Sequence, residues 1–285
     1  MEHACWIDYR QDGSLPLPEH VKRVYLGHET CQERLPSVDE LHRLSKTLKR
    51  RDVSITLVTP FLTNEGITRV YQLIDCLLSV LDTVEVVCSD WGLLYYLIEN
   101  GLCTPIISRL LSSQLTDPRI IRVFQSMQPP AEVKKVQHID GAQCVLKYTP
   151  PSSDLVSHYR SSWIDKDNVI AYLISRGIYR CEISNVAQGV ELRTVKGWSY
   201  SLHVPDVLVA VMRRCPDERE DFNTPPDCLS GTCLKGIRKR WHFPNFPVEF
   251  FRCDNALYYR RHTLPENLTL LPVNRIVSNY KVRNE

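Results

Sequence analysis

Ser54-Ile-Thr-Leu-Val-Thr59, the stretch from Asn64 to Leu78, and Val84-Glu-Val-Val-Cys88 decide the fold between them. The first and third are β-rich apolar runs. The second places Ile67, Val70, Ile74, Leu77 and Leu78 on one helical face. Strand, helix and strand in that order make a βαβ unit, whose two strands lie parallel. The unit extends in both directions. Upstream, Val24-Tyr-Leu26 is strand-like, and Ser37-x-x-Glu40 is a capping box ahead of Leu41, Leu44 and Leu48. Downstream, Ser89-Asp90 caps a helix carrying Leu93, Leu94, Leu97 and Ile98, Gly101 closes it, and Thr104 to Ser108 is a fourth strand.

From Met127 to Ser162 the pattern weakens around two Pro-Pro pairs and is read as irregular. Regularity returns with a helix around Val169 to Ser175, ended by Gly177, and a strand at Tyr179 to Ser184. Val207-Leu-Val-Ala-Val-Met212 is a buried-strand run leading to Cys215, and Leu268 to Leu271 is a short strand-like piece. The count reaches six or seven strands, against the eight of a closed barrel. The expected fold is therefore α/β, a TIM-barrel-like parallel (β/α) barrel, incomplete or distorted. Residues 1–20, polar and without periodicity, are expected to be a leading arm, and 21–285 a single barrel-like domain. Ligands of such sheets gather beyond the carboxyl ends of the strands. Closure would set Cys31, after the first strand, near Cys215, after a late one.

Thirty-five basic against thirty-three acidic residues give a net charge of +2, too close to balance for a general polyanion-binding surface. No secretory signal and no spanning apolar run is visible, so a cytoplasmic protein without membrane insertion is expected. In a reducing compartment the eleven cysteines point to metal binding or burial and not to a disulfide framework. Cys76, Cys88, Cys103, Cys144 and Cys181 lie in or beside apolar runs and are expected to be buried thiols; Cys5 and Cys253 stay open. Cys215-x12-Cys228-x4-Cys233 is different, because three thiols crowd one stretch around Gly231. A four-coordinate site needs one more, and Cys31 is the candidate. Four thiolates suit a 4Fe-4S cluster and also structural zinc, and spacing leaves both open.

Four other residues are candidates for chemistry. His28 could relay protons or simply close a strand by hydrogen bonding, and Glu29 stands beside it. Asp90 fits an N-cap better than an acid or base. Glu182, a charge inside a strand run, needs a purpose or a partner such as Arg109. Lys235 to His242 is a basic stretch, read as a solvated face or an anion site. Neither Gly-x-Ser-x-Gly nor His-Glu-x-x-His occurs, so proteolysis is not expected.

The chain resembles the UbiV-type members of the collagenase-like peptidase superfamily, alongside UbiU and YegQ. The resemblance rests on Val24-Tyr-Leu-Gly-His-Glu-Thr-Cys31-Gln-Glu-Arg34, Leu57-Val-Thr-Pro60, Val84-Glu-Val-Val-Cys-Ser-Asp-Trp-Gly92, Cys181-Glu-Ile-Ser-Asn185, Cys215, Cys228 and Ser230-Gly-Thr-Cys233. It runs from about Val21 to Arg240, and departs where four residues, not three, separate Cys228 from Cys233. The resemblance implies a barrel carrying a 4Fe-4S cluster on Cys31, Cys215, Cys228 and Cys233. It also implies oxygen-independent hydroxylation in ubiquinone biosynthesis or on a related small-molecule substrate, beside a homologous UbiU-like subunit. RNA is a further candidate partner, since relatives hydroxylate it.

Overall fold

The computed structural model describes residues 1–7, 17–121, 133–137, 140–147, 151–212, 239–243 and 246–279. In chain order the elements begin β1 (Glu2–Trp6), β2 (Arg23–Gly27), α1 (Val38–Arg50), β3 (Ser54–Thr59), α2 (Asn64–Leu78), β4 (Glu85–Cys88), α3 (Trp91–Asn100), β5 (Thr104–Ile107) and α4 (Arg109–Ser112). A hairpin of β6 (Val133–Gln137) and β7 (Gln143–Lys147) follows, then α5 (Ser153–Arg160), α6 (Asp167–Ser175), β8 (Arg180–Ser184) and β9 (Ser199–Val204). The chain continues through β10 (Asp206–Val211), β11 (Lys239–His242), β12 (Glu249–Cys253) and β13 (Ala256–Arg260) to β14 (Val273–Asn279).

Eight of these strands close a barrel in the order β1-β14-β9-β8-β5-β4-β3-β2, and every pairing is parallel. The TIM-barrel-like expectation holds, and the barrel is complete. Its thinnest seam is β5 against β8, joined at Ile107 and Cys181, where the excursion through β6 to α6 departs and returns. A second excursion, between β9 and β14, builds an antiparallel sheet in the order β10-β13-β12-β11.

Local chemistry explains the helix ends. Ser37 Oγ accepts from the Glu40 amide while the Glu40 carboxylate accepts from the Ser37 amide, the capping box that starts α1. Asp90 accepts from the Leu93 amide to start α3, and Gly101, at φ +61°, ends it in the left-handed region. Thr63 caps α2, its hydroxyl accepting from the Gly66 amide. Leu41, Leu48, Val70, Leu73, Ile74 and Leu77 are buried between helices and barrel wall.

Four expectations are corrected. Glu2–Trp6 is no leading arm but a barrel strand, laid between β14 and β2; Ala4 points into the barrel and Cys5 into the outer core, an alternation too short to register. The run Val207 to Met212 forms a strand of the antiparallel sheet and not of the barrel, so Cys31 follows the second barrel strand and the last one is β14. Within 127–162 the described residues form a hairpin and α5 where irregular chain was expected, and Leu268–Leu270 is a 3-10 turn, not a strand.

The inside of the barrel is polar at one end. Arg275, 2% exposed, donates to Glu2 at 2.6 Å, to both Glu85 oxygens at 2.8 and 3.1 Å, and to the Tyr25 hydroxyl at 3.0 Å. Arg23 completes the plug, bonding Glu2 at 2.7 Å and lying 3.1 Å from Glu85. Ala4, Tyr25, Val58, Val87, Ile106 and Val277 pack together within the barrel. Burial would raise the Glu2 and Glu85 carboxyls, but the two guanidinium groups hold both below the usual range. Such groups stabilise the fold above the unfolded carboxyl pKa and lose that contribution as pH falls through their folded values. Arg275→Met is expected to cost about 2–3 kcal/mol at neutral pH, because it removes charged hydrogen bonds to Glu2 and Glu85 while Arg23 still pairs with both. Denaturant melts read this, and the gap between variant and wild type should narrow as the pH falls below the carboxylate range.

Candidate functional site at the carboxyl ends of the barrel strands

The turn after β2 carries three of the residues singled out in the sequence. Gly27 makes this turn possible: its φ is +110°, and a Cβ there would lie 2.2 Å from the Val58 carbonyl oxygen. His28 then folds back, its Nδ1 accepting from the Thr30 amide at 3.3 Å and the Cys31 amide at 3.1 Å. With Nδ1 an acceptor, Nε2 carries the proton toward the Asp254 carboxylate 3.2 Å away. Arg34 also bonds Asp254. Cys31, half-buried, precedes the short 3-10 turn Gln32–Arg34. Asp254 belongs to the β12–β13 turn, so a residue far along the chain helps fix the loop that presents Cys31.

The next residue of that turn reaches further. The side-chain amide of Asn255, 5% exposed, donates at 2.7 Å to the Thr30 carbonyl and at 2.7 Å to the Met212 carbonyl. The Met212 amide returns a bond to the Asn255 carbonyl at 2.8 Å. On the other side of the same hairpin, Lys239 stands opposite Arg252, next to Cys253. Met212 and Lys239, the described residues on either side of 213–238, thus both meet the hairpin that also holds the Thr30 carbonyl. Cys215, Cys228 and Cys233 fall outside the described residues, as does the side chain of Cys144.

Glu29, 1% exposed, meets Arg109 in a two-pronged ion pair at 2.6 and 3.2 Å. Arg109 also donates to Ser184 Oγ at 3.3 Å and to the Asp206 carbonyl at 2.7 Å, tying β2, β8 and β10 together. The suggested pairing of Arg109 with Glu182 is thus corrected. Glu182 points into the barrel instead, accepting from the Tyr25 hydroxyl at 2.6 Å and lying 2.7 Å from His203 Nε2. Burial would raise its carboxyl, but the charge and hydrogen bond of His203, the Tyr25 hydrogen bond and the Arg275 charge hold it below the usual range. Asp90 is the N-cap of α3. The structure brings His28, Glu29 and Cys31 into one loop and sets Glu182 apart, within the barrel.

His203 and Tyr25 were not singled out in the sequence. The signal was in Ser199-Tyr-Ser-Leu-His-Val204, where polar residues alternate with apolar ones along β9: Tyr200 and Leu202 join the outer core. Among the expected buried thiols, Cys76, Cys88 and Cys181 are buried and Cys103 is partly so. Burial pushes the Cys103 thiol up to about 11 and those of Cys76, Cys88 and Cys181 above their usual value. Inert thiols of that kind contrast with the loop position of Cys31.

No protein-family model matches the chain, and no curated protein matches it. Among solved structures, its course is similar to that in "The Structure of the U32 Peptidase Mk0906", with a TM-score of 0.42 and 13% identity over 100% of this chain and 94% of that one. A likeness at that level carries no inference about activity. No helix among the described residues is long and apolar enough to cross a membrane.

Asp254 tests the loop. Burial would raise its carboxyl, but His28 and Arg34 hold it well below the usual carboxylate range. Its contribution is therefore full above the unfolded aspartate pKa and is lost only as pH falls through the depressed folded value. Asp254→Asn is expected to destabilise the protein by about 2 kcal/mol at neutral pH, the scale of charged hydrogen bonds. Urea melts should show the difference shrinking in strong acid.

Proposed function

We propose that the chain is an iron–sulfur protein whose 4Fe-4S cluster is held at the carboxyl-end rim of the barrel by Cys31, Cys215, Cys228 and Cys233. The observation that carries this reading is the Asn255 amide. It bonds the carbonyl immediately before Cys31 and the carbonyl of Met212, three residues before Cys215. Three residues span at most about 11 Å, so the chain length between Met212 and Cys215 is compatible with a site shared with the Cys31 loop. The other end supports it as well, since Cys233 is followed after five residues by Lys239, paired on the same hairpin. The donor set fits the group: four soft thiolates, one of them half-buried on a turn whose amides are already committed to His28.

When bound, such a cluster supplies one-electron chemistry. The residues around it divide the remaining work. His28, Asp254 and Arg34 fix the loop, and the Glu29–Arg109 pair anchors it to α4, β8 and β10. With the UbiV-like motifs, this favours a catalyst or cluster-bearing subunit in an oxygen-independent hydroxylation. The substrate would be a ubiquinone precursor or a related small molecule, and the partner a homologous UbiU-like subunit. The second reading, structural zinc on the same four thiolates, uses the same loop geometry and involves no turnover.

Anaerobic purification separates the two. The wild type is expected to be brown, with about four irons and four sulfides per chain. Cys31→Ala and Cys228→Ala should lose most of the iron, whereas Cys76→Ala, at a buried thiol beside His42, should keep it. A colourless protein with stoichiometric zinc, or equal iron in all three variants, overturns the proposal.

A further inference from the structure

A cleft of about 240 Å³ opens on the antiparallel sheet, lined by Arg240, Pro247, Val248, Glu249, Phe251 and Arg260. The pairing of the strands explains why these residues meet. Arg240 on β11 stands opposite Phe251 on β12, and Phe251 stands opposite Tyr258 on β13. Side chains two positions apart on a strand share a face, so Arg260 lies on the face of Arg240 and Phe251, and Glu249 joins them from the start of β12. Pro247 and Val248 supply an apolar wall just before that strand. Arg240 also belongs to the basic stretch of the sequence, which the cluster reading leaves without a role.

Arg260 is fixed before anything binds. Its Nε donates to Asp206 Oδ1 at 3.1 Å, and its guanidinium carbon lies 4.9 Å from the centre of the Phe251 ring. Phe251 is itself braced by stacking on Tyr258, with ring centres 5.5 Å apart. The Asn279 amide takes the other oxygen of Asp206. Pairing with Asp206 thus uses one edge of the guanidinium, and the two terminal nitrogens of Arg260 have no hydrogen-bond partner among the described residues. Arg240 and Glu249 have no hydrogen bond or ion pair among those residues either. One solvated arginine alone would mean little. Here a second one, held by a carboxylate and an aromatic face, lines the same concavity with its fork unused. That is the arrangement that grips a planar oxyanion by two parallel hydrogen bonds.

We propose that this cleft binds a small molecule carrying one carboxylate on an apolar body, the carboxylate between Arg240 and Arg260 and the body against Pro247 and Val248. The single charge follows from the lining. Two arginines against one glutamate leave one positive charge to be met, and a second negative charge on the ligand would face the Glu249 carboxylate. The small size follows from the volume, which is below the roughly 300–1,000 Å³ of drug-sized sites. Arginine stays charged throughout the pH range of a folded protein, so the attraction needs no particular protonation state of the cations. This inference does not rest on the iron–sulfur reading.

The test is titration calorimetry on the full chain, with 3-phenylpropionate as the probe, its amide as the neutral control and inorganic phosphate at pH 8 as a doubly charged competitor. One molecule of 3-phenylpropionate is expected to bind per chain with a Kd of about 1 mM or tighter, and more weakly as salt is added. The amide should bind about tenfold more weakly or worse, the loss of a charged hydrogen bond. Arg240→Gln, at an exposed side chain without a bonded partner among the described residues, should keep the wild-type melting curve and lose about tenfold in affinity. Arg260→Lys keeps a cation beside Asp206 but loses the fork, and should weaken binding by a similar factor. No binding of the acid at about 10 mM, equal affinity for acid and amide, displacement by an equal concentration of phosphate, or unchanged affinity in Arg240→Gln overturns the proposal.

Discussion

One side-chain amide connects the distant parts of this molecule. Asn255 donates one proton to the carbonyl of Thr30 and the other to the carbonyl of Met212, at 2.7 Å each. Its side-chain oxygen Oδ1 is buried without a partner among the described residues, a penalty of about 1–3 kcal/mol that the rest of the hairpin must offset. Asp254, one residue earlier, adds bonds to His28 and Arg34 on the same loop. The β12–β13 turn thus acts as a clasp, holding a loop from the start of the chain against a strand from its last third.

The clasp sits on a barrel whose interior is unusually polar. Arg275, Glu2, Glu85 and Arg23 fill one end, and the bonding continues through Tyr25 to Glu182 and His203 at the other. This is a continuous hydrogen-bonded column, anchored by ion pairs and ending in an imidazole. Apolar side chains would fill the same volume with less desolvation cost. The charges confer direction instead: each acceptor of Glu182 is assigned, so the orientation of His203 is fixed. The outer core of Leu26, Leu57, Val86 and Ile183 supplies apolar burial that offsets that cost.

Much of the barrel was legible because its βα units carry strong local signals: a capping box at Ser37, an N-cap at Asp90, a left-handed glycine at 101. The missing strands lacked such signals. β1 is five residues long with only Ala4, Cys5 and Trp6 as apolar members, and it becomes a strand because β14 and β2 leave a gap of its width. β14 reads as polar chain because Asn274, Arg275, Ser278 and Asn279 interrupt it, yet Arg275 serves the interior ion pairs. At the site, Cys31, His28 and Glu29 were visible as neighbours in sequence. Asp254 and Asn255 were not, since their role arises from a turn more than two hundred residues downstream of Thr30. Glu182 was rightly suspect as a charge in a strand, but its partners Tyr25 and His203 lie on other strands, and only closure of the barrel brings them together.

The central claim is a proximity, and it can be measured without reference to activity. A short thiol-to-thiol cross-linker applied to the metal-free full chain, followed by mass spectrometry, reports which cysteines lie near Cys31. The account predicts links from Cys31 to Cys215, Cys228 or Cys233. Links from Cys31 to none of these three, with links among the three still forming, would contradict it.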